Sequence, residues 1–151
     1  MARDIRINEP GAGEWIARQL GTHFTPGWDN SFSSHDGDRI LGGFIATHFL
    51  GGSMTCHMAS QDKRWCSKDL LWLLFHYGFE QLGVHKMLTT LPSNQYDVIA
   101  MDMRAGWGLE AVVRDAYAPG VHMMILGMTR DTCPWLKYEP RIWVPRNAKA
   151  A

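Results

Sequence analysis

The stretch HMASQDKRWCSKDLLWLLFHYGFEQLGVHK (residues 57–86) decides how this chain folds. It opens as the end of a strand, crosses a polar and basic turn, and runs on as an apolar helix over 68–82. Gly83 closes that helix, since a residue free to adopt left-handed φ is a common C-terminal stop. HKMLTTL (85–91) then reads as another strand. A helix of this length between two strands is a crossover, and crossovers join strands that lie parallel in one sheet. Lys63, Arg64 and Lys68 gather at the mouth of the helix. Free N–H groups and the positive end of the dipole make a helix start suited to an anion. The same basic residues suit a solvated loop.

Working outward, SFSSHDGDRILGGFIATHFLGGSMTCHMAS (31–60) reads as three strands in a meander, with turns at Asp36-Gly37 and Gly51-Gly52. DIRINEP (4–10) alternates as a first strand. GEWIARQLG (13–21) is a short helix with Trp15, Ile16 and Leu20 on one side. Downstream, Pro92-Ser93-Asn94 opens a helix of about 94–104 that stops near Gly106. GLEAVVRDAYAPGVHMMILGM (108–128) folds as two strands around Ala118-Pro119-Gly120. The order is therefore β-α-βββ-α-β-α-ββ. The segment from Thr132 onward, rich in proline and aromatics, is expected to be irregular. The expected division is a domain over 1–136 and a tail over 137–151.

The 151 residues suit one domain, and 46% apolar content supplies a core. Fifteen basic residues balance fifteen acidic ones, so nothing points to nucleic acid. No apolar run reaches the ~18 residues of a membrane span, and no signal segment is visible. A soluble cytoplasmic protein is expected. Cys56, Cys66 and Cys133 are too scattered for a disulfide framework or a paired-cysteine metal site. The histidines do not cluster either, so no metal is expected.

The order of elements, together with THFLGGSMTCHMA, KRWCSKDLLWLLFHYGFEQLGVHK, LPSN, RAGWGLEAVVRDA and MTRDTCPWL, resembles the GNAT superfamily of acyl-CoA-dependent N-acyltransferases. Within it the chain is most similar to the small GNAT-like proteins carried by tailed bacteriophages, which implies work in a host cytoplasm. The resemblance implies an α/β (α+β) fold with a mixed, mostly antiparallel sheet of about seven strands. It also implies a central splayed parallel pair and helices on both faces. It implies acetyl-CoA as co-substrate, with its pyrophosphate at the loop before the large helix. The residues that fall there are Lys63, Arg64, Trp65, Cys66, Ser67 and Lys68. The backbone of His57, Met58 and Ala59 would hold the pantetheine arm, and Asn94 also falls at the coenzyme site. Ser67 and Asp69 depart from the family's small residues. A serine caps a helix with the donors a phosphate would use, and an aspartate brings negative charge.

Acyl transfer to an amine needs a base for the amine proton and an acid for the leaving thiolate. The position of the family's acidic tyrosine falls on Asp102 counting back from Gly106, or on Met101 counting forward from Asn94. Tyr96, two turns earlier, is the substitute. His57 is the candidate base, because its ordinary pKa suits proton transfer near neutrality. A histidine hydrogen-bonded within the sheet is the alternative. On the large helix, Asp69, Trp72, Leu73, His76 and Glu80 form an outward stripe. With the tail, Trp72, Leu73 and His76 would serve a homodimer or a host-protein interface, unless Trp135 or Trp143 covers them. Two functions follow. One is acetyl-CoA-dependent N-acetylation of an amine, small or protein-borne. The other is a catalytically degenerate GNAT-fold protein that acts by binding a host protein.

Overall fold

A computed structural model describes residues 4–141. The elements are β1 (Asp4–Ile7), α1 (Ala12–Leu20), β2 (Asn30–Asp36), β3 (Arg39–Thr47), β4 (Ser53–Ser60), α2 (Lys68–Phe75), β5 (Lys86–Pro92), α3 (Tyr96–Ala105), β6 (Gly108–Ala118) and β7 (Val121–Thr129). The order is the one read from the sequence. One seven-stranded sheet runs β1-β2-β3-β4-β5-β7-β6. Every neighbouring pair is antiparallel except β4 and β5.

Alternation along the strands sends residues to two faces. Ile45, Ile16 and Ala17 form a small core that seats α1, with Ala59 and Phe24 against it. Ile16 is fully buried, a burial worth about 1.5–3 kcal/mol. On the other face Phe44, Ala46, Met54 and Cys56 meet Leu70, Leu74 and Phe75 of α2, with Val98, Ile99 and Met101 of α3 packed alongside. Helices therefore cover both faces.

The large helix differs from the expected continuous α-helix. α2 ends at Phe75 and a π-helical turn, His76–Gln81, follows. Tyr77, Gly78 and Phe79 are all buried. A regular helix spaces successive side chains about 100° apart, so the wider turn is what lets this run face inward together. At Gly78 a Cβ would meet Met87 Sδ, so a larger residue requires the Met87 side chain to move. The outward stripe is narrower than expected. Leu73 is 2% exposed and belongs to the core, while Trp72 and His76 stay partly buried and stack at 4.4 Å. The hairpin between β3 and β4 is looser than a two-residue turn, with residues 48–52 as its loop.

After β7 the chain folds back on the domain. The Trp135 indole N–H donates to the Ala105 carbonyl at 2.8 Å, and Trp135 and Leu136 pack on the main core. The Tyr138 hydroxyl and the Arg141 amide both donate to Asp69 Oδ1. Trp143, the other candidate cover for the stripe, lies outside the described residues, as does most of the expected tail. Among the described residues no helix is long and apolar enough to cross a membrane. None of their His, Cys, Asp and Glu side chains gather in threes that could hold a metal ion.

Candidate active site

β4 and β5 pair only at Ser53↔Lys86, Met54↔Met87 and Thr55↔Leu88. Past Leu88, β5 continues only with β7, through Thr89↔Leu126 to Pro92↔Met123. Past Thr55, β4 continues only with β3, through His57↔Ile45 to Ser60↔Gly42. The two central strands therefore part, and each leaves one ladder edge of backbone N–H and C=O groups facing the gap. Buried backbone groups require partners, so this gap is built to receive polar atoms. Pro92, which has no N–H to donate, ends β5 in the part that β4 has already left.

The gap opens into a cleft of about 510 Å³. His57 and Met58 of β4 line it, with Thr89, Thr90 and Leu91 of β5, Val98 and Asp102 of α3, and Tyr117 of β6. Gln19 and Leu20 of α1, together with Thr22 and His48, close the other side. Val98 also lines a second hollow of about 480 Å³, formed with Ser60, Gln61, Asp62, Lys63, Trp65, Asp97 and Met101. The two hollows share Val98 of α3, and the second reaches the loop that precedes α2.

His57 lies on the α1 face and is half-buried. Burial holds its pKa below the ordinary histidine value, and the nearby His48 imidazole lowers it further. The two rings meet edge-on at 6.3 Å. His48 sits in the β3–β4 loop with φ 52°, and nothing in the sequence pattern marks it. Asp102 comes from the opposite face. Its side chain is 2% exposed, and its Oδ2 has no hydrogen-bond partner. Burial raises its pKa to about 7. Cys56, behind it in the core, is pushed well up from the ordinary thiol value by burial, and further by Asp102. Cys56 is therefore a thiol and not a nucleophile.

Other expected residues are spread along this path. Ala59 packs against the α1 core. Trp65 is buried and packs on Phe44 at a centroid distance of 5.0 Å. Cys66 is partly buried; Lys63 and Lys68 are exposed. The Arg64 side chain donates from Nε and Nη2 to the two oxygens of Asp62 and pairs with Asp36 at 3.5 Å. Hydrogen bonds from Arg64 and Arg39 hold the Asp62 carboxyl well below the usual range. Ser67 Oγ accepts from the Leu70 amide at 3.1 Å, so the helix carries its cap. Asp69 Oδ1 accepts from the Tyr138 hydroxyl and the Arg141 amide.

Asn94 and Tyr96 do not join the cleft. Asn94 is exposed in the turn before α3. Tyr96 is 76% exposed at the first residue of the helix. The inward face of α3 is set by Val98 and Asp102; Tyr96 stands two residues, or about 200°, around the axis from Val98. Gln95 lines the cleft where Asn94 does not.

No family profile and no curated protein sequence matches the chain. Solved structures do. A protein assigned to the GNAT acetyltransferases, from Desulfovibrio desulfuricans, superposes with a TM-score of 0.67 at 16% identity, over 85% of this chain and 99% of that one. Mutant forms of the spermidine/spermine N-acetyltransferase SpeG from Vibrio cholerae give 0.68 at 11% identity, over 86% and 96%. A protein assigned as a phosphinothricin N-acetyltransferase gives 0.63 at 12% identity, over 85% and 98%. The fold is that of GNAT acetyltransferases.

Proposed function

We propose that the chain is an N-acetyltransferase that takes its acetyl group from acetyl-CoA and passes it to an amine. One observation carries this: β4 and β5 pair no further than Thr55↔Leu88, which leaves the backbone of His57, Met58 and Ala59 with an open ladder edge. A pantetheine arm carries amide N–H and C=O groups, and an extended chain of them can add to a strand edge. The hollow at Lys63 and Trp65 lies at the loop that precedes α2. There, Lys63, Arg64 and Lys68 supply positive charge, and the helix supplies N–H groups for a pyrophosphate.

Bound in this way, the thioester supplies the activated acyl group; the protein supplies position and proton transfer. His57 is the base. It faces the α1 side of the splay, where Gln19, Thr22, His48 and Tyr117 leave a polar mouth for the acceptor. Its lowered pKa keeps the ring neutral at physiological pH, so it can accept a proton from the attacking amine. Among the described residues the mouth carries no carboxylate besides the deep Asp102, so an uncharged or singly charged amine suits it better than a polycation. Action in a host cytoplasm on a small amine or a protein amine remains the reading drawn from the sequence resemblance.

A second reading is favoured by one specific contact. Ser67 Oγ already occupies the Leu70 N–H that an anion would use. On that reading the fold has lost its coenzyme and binds a protein, with Trp72 and His76 at the contact. Isothermal titration with acetyl-CoA separates the two. Micromolar saturable binding supports the enzyme. No heat at millimolar coenzyme, with the protein folded, rejects it.

A further inference from the structure

We propose that the hollow between the start of α1 and the loop leading into β2 is a second binding site, and that it takes a small organic ammonium ion. The hollow has a volume of about 370 Å³ and shares no lining residue with the two hollows described above. Small-molecule sites run from about 300 to 1,000 Å³. Ser31 of β2 stands in its wall. Phe32 lies in the main core, so the alternation of the strand sends Ser31 to the opposite face, where α1 sits. Ser31 is 0% exposed, and its Oγ has no hydrogen-bond partner among the described residues. Its backbone is satisfied: the amide donates to Asn8 Oδ1 and the carbonyl accepts from the Asn8 amide, both at 2.9 Å. Buried hydroxyls are hydrogen-bonded with few exceptions. A bare one in the wall of an open hollow is a place for a polar atom that arrives with a ligand.

The charge around the hollow sets the sign of that ligand. Glu9, Glu14 and Asp29 line it, and no lysine, arginine or histidine does among the described residues. Asp29 is already engaged. Its Oδ2 accepts from the Thr25 amide and its Oδ1 from the Thr47 hydroxyl, which pins the loop and keeps the hollow formed without a ligand. Glu9 Oε1 pairs with Arg6 at 3.1 Å. Glu14, half-buried in the first turn of α1, has no ion pair or hydrogen bond among the described residues. The positive end of α1 amounts to about half a charge, less than the carboxylates beside it, so an anion is not favoured. The carboxylates do not gather into a group that could hold a metal ion. An ammonium carries several N–H donors, enough for the Glu14 carboxylate and the Ser31 hydroxyl together. The remaining walls are apolar. Pro10 and Pro26 supply two of them and Phe24 a third. Gly13 makes room for the Phe24 ring, since a Cβ there would meet it. A charged head with an apolar body of a few carbons uses all of these surfaces.

The test titrates the full chain, followed by amide NMR, with benzylammonium. Benzyl alcohol and benzoate serve as neutral and anionic counterparts of the same shape. Benzylammonium should bind saturably, with a dissociation constant of about a millimolar or below. Amides of Glu9, Gly11, Glu14, Gly27 and Ser31 should shift. Benzyl alcohol should bind at least about tenfold more weakly, and benzoate not at all. Glu14→Gln should weaken the ammonium about tenfold, and Ser31→Ala about threefold or more. Ser31→Ala should also be no less stable than the parent, because it removes a buried hydroxyl that has no partner. Equal affinity for the three probes overturns the proposal, as do shifts confined to cleft residues such as Thr22, His57 and Thr90. Unchanged affinity in both variants overturns it as well, and so does a lack of saturation by about 50 mM benzylammonium. A Ser31→Ala protein that melts well below the parent would show that the hydroxyl already has its partner, which also overturns it. None of these outcomes depends on acetyl-CoA, so this site and the acetyltransferase reading stand or fall separately.

Discussion

Thr55 and Leu88 are the last residues at which the two central strands face each other; beyond them β4 and β5 keep only their outer neighbours. Hydrogen exchange should report this directly. Amides of β4 between His57 and Ser60 that point to the gap exchange quickly in the free protein. Acetyl-CoA should slow them at least tenfold, while those of Ser53 to Thr55 change little because they are already paired. Uniform protection along β4 would place the coenzyme elsewhere.

Ser67 and Arg64 test the start of α2. Replacing a serine cap by glycine costs only a few tenths of a kcal/mol. Ser67→Gly frees the Leu70 N–H that Ser67 Oγ now occupies. Acetyl-CoA affinity should therefore rise a few-fold while melting barely shifts. Arg64→Ala should weaken binding about tenfold, one charge-assisted hydrogen bond. The exposed pairs of Arg64 with Asp62 and Asp36 are worth little to stability, about 0–1 kcal/mol. An unchanged dissociation constant in both variants would leave this end of the cleft without a role.

His57→Gln should lower turnover by ~10²–10⁴-fold with coenzyme affinity nearly unchanged. In the parent, the rate should fall as pH drops through the His57 pKa, which burial and His48 hold below the ordinary 6.5. A drop in melting temperature with normal turnover per folded molecule would make His57 structural.

The Asp102 carboxyl gives a stability signature that needs no substrate. Its folded pKa, about 7, lies above the ordinary 3.8. Between these values the folded state binds more protons than the unfolded one, so stability falls as pH rises from about 4 to about 7. At 1.36 kcal/mol per unit the full loss is on the order of 4 kcal/mol. Asp102→Asn should remove most of this slope and be the more stable protein at pH 8, by denaturant titration. Equal slopes in both proteins would mean that Asp102 is solvated.

Gly78→Ala should destabilise by about 1–3 kcal/mol, because the added methyl meets Met87 Sδ inside a packed core. A smaller cost would show that the Met87 side chain moves aside to make room.

The path of the chain was legible in the sequence because its signals are local. Gly21, Gly83 and Gly106 stop three helices where left-handed φ is needed. Turn signals at Asp36-Gly37, Gly51-Gly52 and Ala118-Pro119-Gly120 marked the paired strands, and the span from β4 to β5 implied their parallel direction. His57 stood out because a strand's period of two fixes its face. The tertiary structure decided the rest. Whether Asp102 or Tyr96 turns inward depends on how α3 sits on the core, where Val98, Ile99 and Met101 pack. Leu73 read as surface, yet it lies on the buried side of α2 with Leu70 and Leu74, at ordinary helical spacing, because the packing of that helix on the sheet and not its own pattern decides which side is covered. His48 joined the site through a loop whose course no pattern encodes. Asp69 faces the returning chain because Tyr138 and Arg141 reach it from 69 and 72 residues away. Local sequence sets backbone conformation through short-range sterics and hydrogen bonding. Which side chains share a cleft is set by contacts between residues distant in the chain.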